Sequence, residues 1–228
     1  MIFYYPSDPG DPCSIIEITN MVKLALLALS LIFTGQIDLP VKNTPVAKKE
    51  NKDLVVALLP YKGFDASLLE FIQKETETFY HCKVLVLKSV DLPSFAFYAP
   101  RSRYKADSLL VYENRLVRKG IDAMVGLTSK DISTTKDKIS DWGVFGLGMC
   151  PGPACVISTY RLKGASVSTD KLKERLIKVV LHEIGHNLGL PHCSANAECL
   201  MTDAGGTVKQ VDMEKKWLCP ACRIKLVL

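Results

Sequence analysis

The strongest constraint on the fold is an eleven-residue run that holds three of the chain's four histidines, His182-Glu183-Ile184-Gly185-His186-Asn187-Leu188-Gly189-Leu190-Pro191-His192. Helically spaced apolar residues lead into it, and Ser168, Thr169 and Asp170 are candidate N-caps, so the pattern predicts a helix over 170–188. Gly189 can take the left-handed conformation that ends helices, and Pro191 prevents continuation. The chain must therefore turn back at this point and bring His192 towards the helix.

This run predicts a metal site. His182 and His186 are four residues apart, so their imidazoles lie on one helix face and can reach the same ion. With His192 they make three ligands and leave a fourth tetrahedral position open, which is the arrangement of a catalytic zinc. Glu183 is rotated by about 100° from His182, so it can stand beside the ion and act as a general acid and base. The alternative is a buried helix whose histidines only satisfy hydrogen bonds.

Four of the chain's eight cysteines follow the histidine run closely: Cys193, Cys199, Cys219 and Cys222. The Cys219-Pro220-Ala221-Cys222 knuckle is typical of metal or redox sites, and four thiolates would close the shell of a structural zinc. Two disulfides are the alternative, which an exported protein would permit. Upstream, Cys150 and Cys155 flank Pro151-Gly152-Pro153 and are either a local disulfide or two thiols.

The histidine run, followed by Cys193, by Cys199-Leu200-Met201 and by the Cys219 knuckle, resembles the archaemetzincin family of metzincin zinc peptidases. The segments Arg101-Ser102-Arg103-Tyr104 and Ser158-Thr159-Tyr160-Arg161-Leu162 are also similar to segments of that family. The spacer of five residues between Cys193 and Cys199 is one longer than the family pattern. The resemblance covers roughly residues 53–226 and is closest over 182–222.

The resemblance implies two zinc ions per chain and the hydrolysis of peptide bonds. The catalytic zinc would lie on His182, His186 and His192, with Glu183 as the general base. Met201 would be the Met-turn residue beneath these histidines. The structural zinc would lie on the four cysteines, Cys193, Cys199, Cys219 and Cys222. The substrate would be a peptide or protein, held extended along a sheet edge near 154–160.

The remaining pattern predicts a single mixed α/β (α+β) domain over 53–228. Apolar runs at 53–59, 83–88 and 121–127 predict strands, helical spacing at 66–80 and 105–118 predicts helices, and 143–162 predicts a hairpin. This order favours one twisted mixed sheet packed with helices. The resemblance implies the compact metzincin-like version of that fold, with the histidine run on its active-site helix.

The N-terminal segment predicts a leader over 1–35 and a polar, Lys-rich linker over 36–52. The apolar run 24–33 would rise only about 15 Å as a helix, too short to cross a bilayer but typical of a signal peptide. Met21-Val22-Lys23 fits a short basic start to such a peptide, so we expect Met21 to be the true start. The protein would then be periplasmic or secreted; a buried N-terminal helix in a cytoplasmic protein is the alternative.

The composition of the chain argues against some functions. A net charge of +5, from 29 basic and 24 acidic residues spread along the chain, does not predict nucleic-acid binding. We expect no stable membrane span and a monomer. The main rival to a peptidase is a zinc-stabilised binding protein with little or no peptidase activity, and the intact Glu183 argues against it because a structural site would not need that carboxylate.

Overall fold

The computed structural model describes residues 54–164 and 166–226 of the 228-residue chain. The predicted leader, the linker and the start at Met21 lie outside the described residues and stay predictions. Within the described part, no helix combines the length and the apolar character needed to span a bilayer.

A five-stranded sheet forms the centre of the molecule. Its strands are β1 (Val55–Pro60), β2 (Lys83–Val86), β5 (Ala123–Thr128), β8 (Gly146–Gly148) and β9 (Ala154–Ser158), in the order β2-β1-β5-β9-β8. Four strands run parallel, and β8 pairs antiparallel with β9. The interior strands β5 and β9 are buried at every residue. Their mainly apolar sequences are typical of parallel strands that are covered on both faces.

Three helices cover this sheet. Helix α1 (Ala66–Tyr80) begins at the N-cap Asp65, whose side chain accepts a hydrogen bond from the Ser67 backbone N–H. Together with α3 (Thr169–Asn187) it packs on the face that carries Val56, Leu58 and Val125. Helix α2 (Ala106–Leu116) packs on the opposite face, against Tyr61, Ala154 and Val156. The predicted helices at 66–80, 105–118 and 170–188 are confirmed to within two residues at each end.

A second sheet was not predicted. It has four short strands, β3 (Phe97–Tyr98), β4 (Arg103–Lys105), β6 (Ile132–Lys136) and β7 (Ile139–Val144), in the order β3-β4-β6-β7. The expectation of one sheet was therefore wrong. These strands are short and rich in Ser, Thr and charged residues, so they lack the apolar runs from which the other strands were predicted.

Two short helices complete the chain, α4 (Val208–Met213) and α5 (Pro220–Lys225). The hairpin predicted over 143–162 is confirmed as β8 and β9. However, β9 lies between β5 and β8, so the segment near 154–160 is not a sheet edge. The edge on this side of the sheet is β8, which lies within the predicted hairpin but was not predicted to be the edge strand.

Candidate metal centres

The end of α3 brings the three predicted histidines together. The helix begins at Thr169, and the hydroxyl of its N-cap Ser168 accepts a hydrogen bond from the Lys171 backbone N–H at 3.2 Å. It ends at Asn187, and Gly189 follows with φ 91°, the left-handed conformation expected there. The Gly189 N–H binds the His186 carbonyl at 2.8 Å, and the Leu190 N–H binds the Gly185 carbonyl at 2.9 Å. This cap reverses the chain and carries His192 back to the helix.

The imidazoles of His182, His186 and His192 converge. One ring nitrogen of each lies within 4.8 Å of the others, and the Nε2 atoms of His186 and His192 are 3.2 Å apart. Two ligand nitrogens at about 2.0–2.1 Å from a tetrahedral zinc would be separated by about 3.3 Å. The spacing therefore fits zinc with little rearrangement of the rings.

Backbone carbonyls fix the orientation of two of these rings. The Nδ1 atom of His182 lies 2.7 Å from the Leu200 carbonyl oxygen, and that of His186 lies 2.7 Å from the Leu190 carbonyl oxygen. A carbonyl only accepts, so Nδ1 carries the proton and Nε2 presents its lone pair. Burial and the neighbouring His192 lower the pKa of His182 to about 4. Burial and the two other imidazoles lower that of His186 well below its usual range. Both rings are thus neutral and able to bind a cation at neutral pH.

The carboxyl group of Glu183, which follows His182 on the helix, lies against the edge strand. Its side chain is 7% exposed, and burial, with a smaller effect of the Asp203 carboxylate, raises its pKa to about 8. Gly146 and Gly148 of β8 leave the space that it occupies. A Cβ atom on Gly146 would lie 2.6 Å from Glu183 Oε1, and one on Gly148 would lie 2.9 Å from Glu183 Oε2. Sequence reasoning missed both glycines, although the Gly-x-Gly spacing was a readable signal of close approach.

Met201 is fully buried next to the histidine helix. A Cβ atom on Gly185 would come within 2.5 Å of the Met201 sulfur, so the glycine allows the thioether to lie against the helix between His182 and His186. The Met201 carbonyl also accepts a hydrogen bond from the Cys193 N–H at 2.7 Å. Asn187, another residue that was missed, donates from Nδ2 to the carbonyls of Met149 and Ala154, at 3.1 and 2.8 Å, and so ties the end of α3 to the β8–β9 hairpin.

The four predicted cysteines form a second cluster. The sulfur of Cys193 lies 3.6 Å from that of Cys219, and the sulfur of Cys199 lies 3.7 Å from that of Cys222. All four are free thiols, and a disulfide would need a sulfur separation of about 2.05 Å, so the two-disulfide alternative is wrong. Zinc with sulfur ligands at about 2.3 Å has tetrahedral edges of about 3.8 Å, which matches the spacing. The longer Cys193–Cys199 spacer is absorbed in the loop between them.

Ionisation of one thiol is already favoured within this cluster. Burial opposes it at Cys219, but hydrogen bonds from the Cys222 backbone N–H and from the neighbouring thiols outweigh burial and lower the pKa of Cys219 to about 7. Burial raises the pKa of Cys199. A metal cation would stabilise further thiolates here.

Cys155 is not part of either cluster. It is a buried free thiol in β9, so it forms no local disulfide with Cys150 across the Pro-Gly-Pro turn.

Comparison with known proteins gives consistent matches. The family model described as Peptidase family M54 matches residues 87–227, more than half of the chain. The archaemetzincin of Halobacterium salinarum is 31% identical over 175 residues, which are 74% of this chain and 96% of the relative. That of Methanocaldococcus jannaschii is 30% identical over 176 residues, which are 75% and 92% of the two chains.

Two crystal structures have the same fold. The archaemetzincin of Archaeoglobus fulgidus, complexed with malonate, is 28% identical with a TM-score of 0.64 and covers 75% of this chain and 99% of its own. That of Methanopyrus kandleri is 27% identical with a TM-score of 0.66 and covers 78% and 95%. These matches confirm the predicted fold class and the family resemblance.

Proposed function

Because this chain belongs to peptidase family M54 and is a zinc metallopeptidase, we propose that it hydrolyses peptide bonds with Glu183 as the general base and with zinc on His182, His186 and His192. One observation carries the proposal. The imidazoles of His182, His186 and His192 converge, and the buried carboxyl group of Glu183, which follows His182 on the same helix, packs against the glycine-containing edge strand.

In the proposed reaction, zinc and Glu183 have separate roles. When bound, zinc acts as a Lewis acid that activates water and polarises the peptide carbonyl. Glu183 takes the proton from the attacking water and returns it to the leaving amine. Burial raises the pKa of Glu183 to about 8 in the metal-free protein, and a zinc cation bound nearby would favour the carboxylate form that a general base needs.

The substrate is proposed to bind along β8 and not along the segment near 154–160. Among the described residues, β9 is the only strand that pairs with β8, so the other edge of β8 can accept an extended peptide. Gly146 lies against Glu183, and a peptide on this edge would pass close to the carboxyl group.

The four cysteines are proposed to hold a second, structural zinc, which gives two zinc ions per chain. Their sulfur spacing and the lowered pKa of Cys219 support this role. Met201 is proposed as the Met-turn residue. The two sites are adjacent in the chain, since Leu200, whose carbonyl orients His182, lies between Cys199 and Met201.

Peptide cleavage tests the proposal. The wild-type chain, shown by elemental analysis to contain zinc, is incubated with a mixed peptide library beside Glu183→Gln, which keeps the size of the side chain but cannot act as a base. His81→Ala is the matched control, because His81 is an exposed histidine at the end of α1 that belongs to neither cluster. We expect cleavage by the wild type and the control, and a loss of at least about 100-fold in Glu183→Gln. Zinc-loaded wild type that cleaves no peptide would instead favour a zinc-stabilised binding protein.

A further inference from the structure

A basic cleft of about 520 Å³ opens beside the edge strand. Its lining includes the aromatic side chains of Phe145 and Tyr160 and the cationic side chains of Arg161, Lys163 and Lys209. We propose that this basic cleft binds an acidic side chain of the substrate, and so directs the enzyme to peptides with Asp or Glu near the cleaved bond. The inference depends on the proposed function, whose active site it extends.

Both walls of the cleft are continuous with elements of the active site. Phe145 directly precedes Gly146, which lies against Glu183. The opposite wall, residues 206–209, follows the segment that carries Leu200 and Met201. A strand rises about 3.3 Å per residue, so a peptide along β8 would present a side chain to the cleft within one or two residues of the bond facing Glu183.

The charge of the cleft is one-sided. No Asp or Glu is among its lining residues. In the part of the chain that the structure describes, neither Lys163 nor Lys209 has a carboxylate within ion-pair distance, and Lys163 has a longer-range electrostatic interaction with Asp65. Both lysine side chains are exposed. An incoming carboxylate would gain partners here without displacing an existing ion pair.

Arg161 differs from Lys163 and Lys209 because hydrogen bonds hold its guanidinium group in one orientation. It forms two hydrogen bonds to Asp131, Nε to Oδ1 at 2.7 Å and Nη2 to Oδ2 at 3.0 Å. Asp131 also pairs with Arg103 at 3.1 Å, and Arg103 pairs in turn with Asp141 at 3.3 Å. Arg101 and Lys105 pair with the same Asp141, so four cations share two carboxylates and the network keeps a net positive charge. The guanidinium of Arg161 lies over Gly143, where a Cβ atom would come within 2.0 Å of its Cζ. It therefore contributes a positive charge at a defined position.

Two further features fit an acidic side chain. Phe145 is 7% exposed at the base and Tyr160 is 56% exposed at the rim, which gives apolar contact for the methylene groups of Glu. Asp203 and Asp212 each lie three residues along the chain from the wall formed by 206–209, and neither lines the cleft. The Asp203 carboxylate accepts a hydrogen bond from the Gly205 N–H at 2.8 Å, and Asp212 is paired with Arg175 and Lys171.

Matched peptides test the inference. Peptides that the full zinc-loaded chain cleaves are synthesised in pairs with Glu or Gln at each position flanking the cleaved bond, and kcat/KM is measured for each. We expect a Glu-over-Gln ratio of about tenfold at one position, because charge-assisted hydrogen bonds are roughly twice as strong as neutral ones. Lys209→Gln and Lys163→Gln should each lower that ratio several-fold, and Lys119→Gln, an exposed lysine beyond α2, should not. Ratios near one at every position would overturn the inference while leaving the peptidase proposal intact.

A binding measurement separates the two proposals. Glu183→Gln is titrated with fluorescent Glu and Gln peptides, and anisotropy gives the two Kd values. A Glu preference that falls with ionic strength and is lost in Lys209→Gln supports the cleft, even if no peptide is cleaved. Equal Kd values in this uncleaving variant overturn it. Absence of cleavage of every peptide by zinc-loaded wild type counts against the peptidase proposal alone.

Discussion

Substitution of Gly146 by alanine should reduce catalysis far more than stability. The added Cβ atom would lie 2.6 Å from Glu183 Oε1 and 2.8 Å from Glu183 Cγ, whereas ordinary contacts begin at 3.4 Å. Glu183 must therefore move by about 1 Å, and a misplacement of that size costs roughly 100-fold in rate, or about 2.7 kcal/mol. Overpacking costs about 1–3 kcal/mol, and replacing a strand glycine returns about 0.5–1 kcal/mol. The net loss of stability should be about 0–2 kcal/mol.

Two measurements check this expectation. Peptide hydrolysis gives kcat/KM, and urea unfolding gives the free energy of unfolding for wild type, Gly146→Ala, Glu183→Ala and the double variant. Because the clash is with the Glu183 side chain, the stability cost of Gly146→Ala should disappear when Glu183 is truncated. Gly164→Ala, in the loop before α3, is the control and should keep wild-type activity. A folded Gly146→Ala variant with wild-type kcat/KM, or a cost that persists without Glu183, would refute the reasoning.

Three other substitutions test the cysteine cluster and two buried polar side chains. Cys222→Ser should lower zinc content by about one ion per chain and lower Tm, since tetrahedral structural sites need all four ligands; unchanged metal content by elemental analysis would contradict the proposed cysteine site. Tyr80→Phe removes a buried hydrogen bond from the phenol to the Leu181 carbonyl at 2.6 Å and should destabilise the protein by about 1–2 kcal/mol in urea unfolding; unchanged stability would show that the bond adds nothing. Glu113 is fully buried, which raises its pKa well above the usual range despite the opposing hydrogen bond from Tyr61. The folded state therefore binds this proton more tightly than the unfolded state does, which stabilises the fold. This stabilisation is complete below the unfolded-state pKa of about 4.3 and is lost as pH rises towards the folded-state pKa. Between pH 5 and pH 8 the free energy of unfolding should fall less for Glu113→Gln than for the wild type. Equal falls in the two proteins would exclude this role for Glu113.

Local patterns in the sequence were sufficient to predict the two clusters and the main helices and strands. The spacing of His182 and His186, the stop at Gly189 and the return of His192 depend on helix geometry and glycine conformation, which act over a few residues. The cysteine cluster could be predicted in the same way, because short spacers restrict which sulfurs can meet. The helices and the apolar parallel strands followed from their periodicity.

Contacts between distant segments could not be predicted from the sequence. The second sheet pairs short polar strands whose neighbours are set by the packing of α2 and not by an apolar pattern. The choice of β8 over β9 as the edge depends on strand order, which one sequence does not encode locally.

The sequence by itself thus determined the chemistry: three imidazoles, one carboxyl group and four thiols, in an order that a helix and a reversal can bring to two points. Only the tertiary structure decided what surrounds that chemistry. It brought Gly146 against Glu183, left Cys155 unpaired inside the sheet, and assembled a basic cleft from residues 145, 160, 161, 163 and 206–209. These contacts join segments up to about sixty residues apart, so they arise from the burial of whole elements and not from the preferences of neighbouring residues.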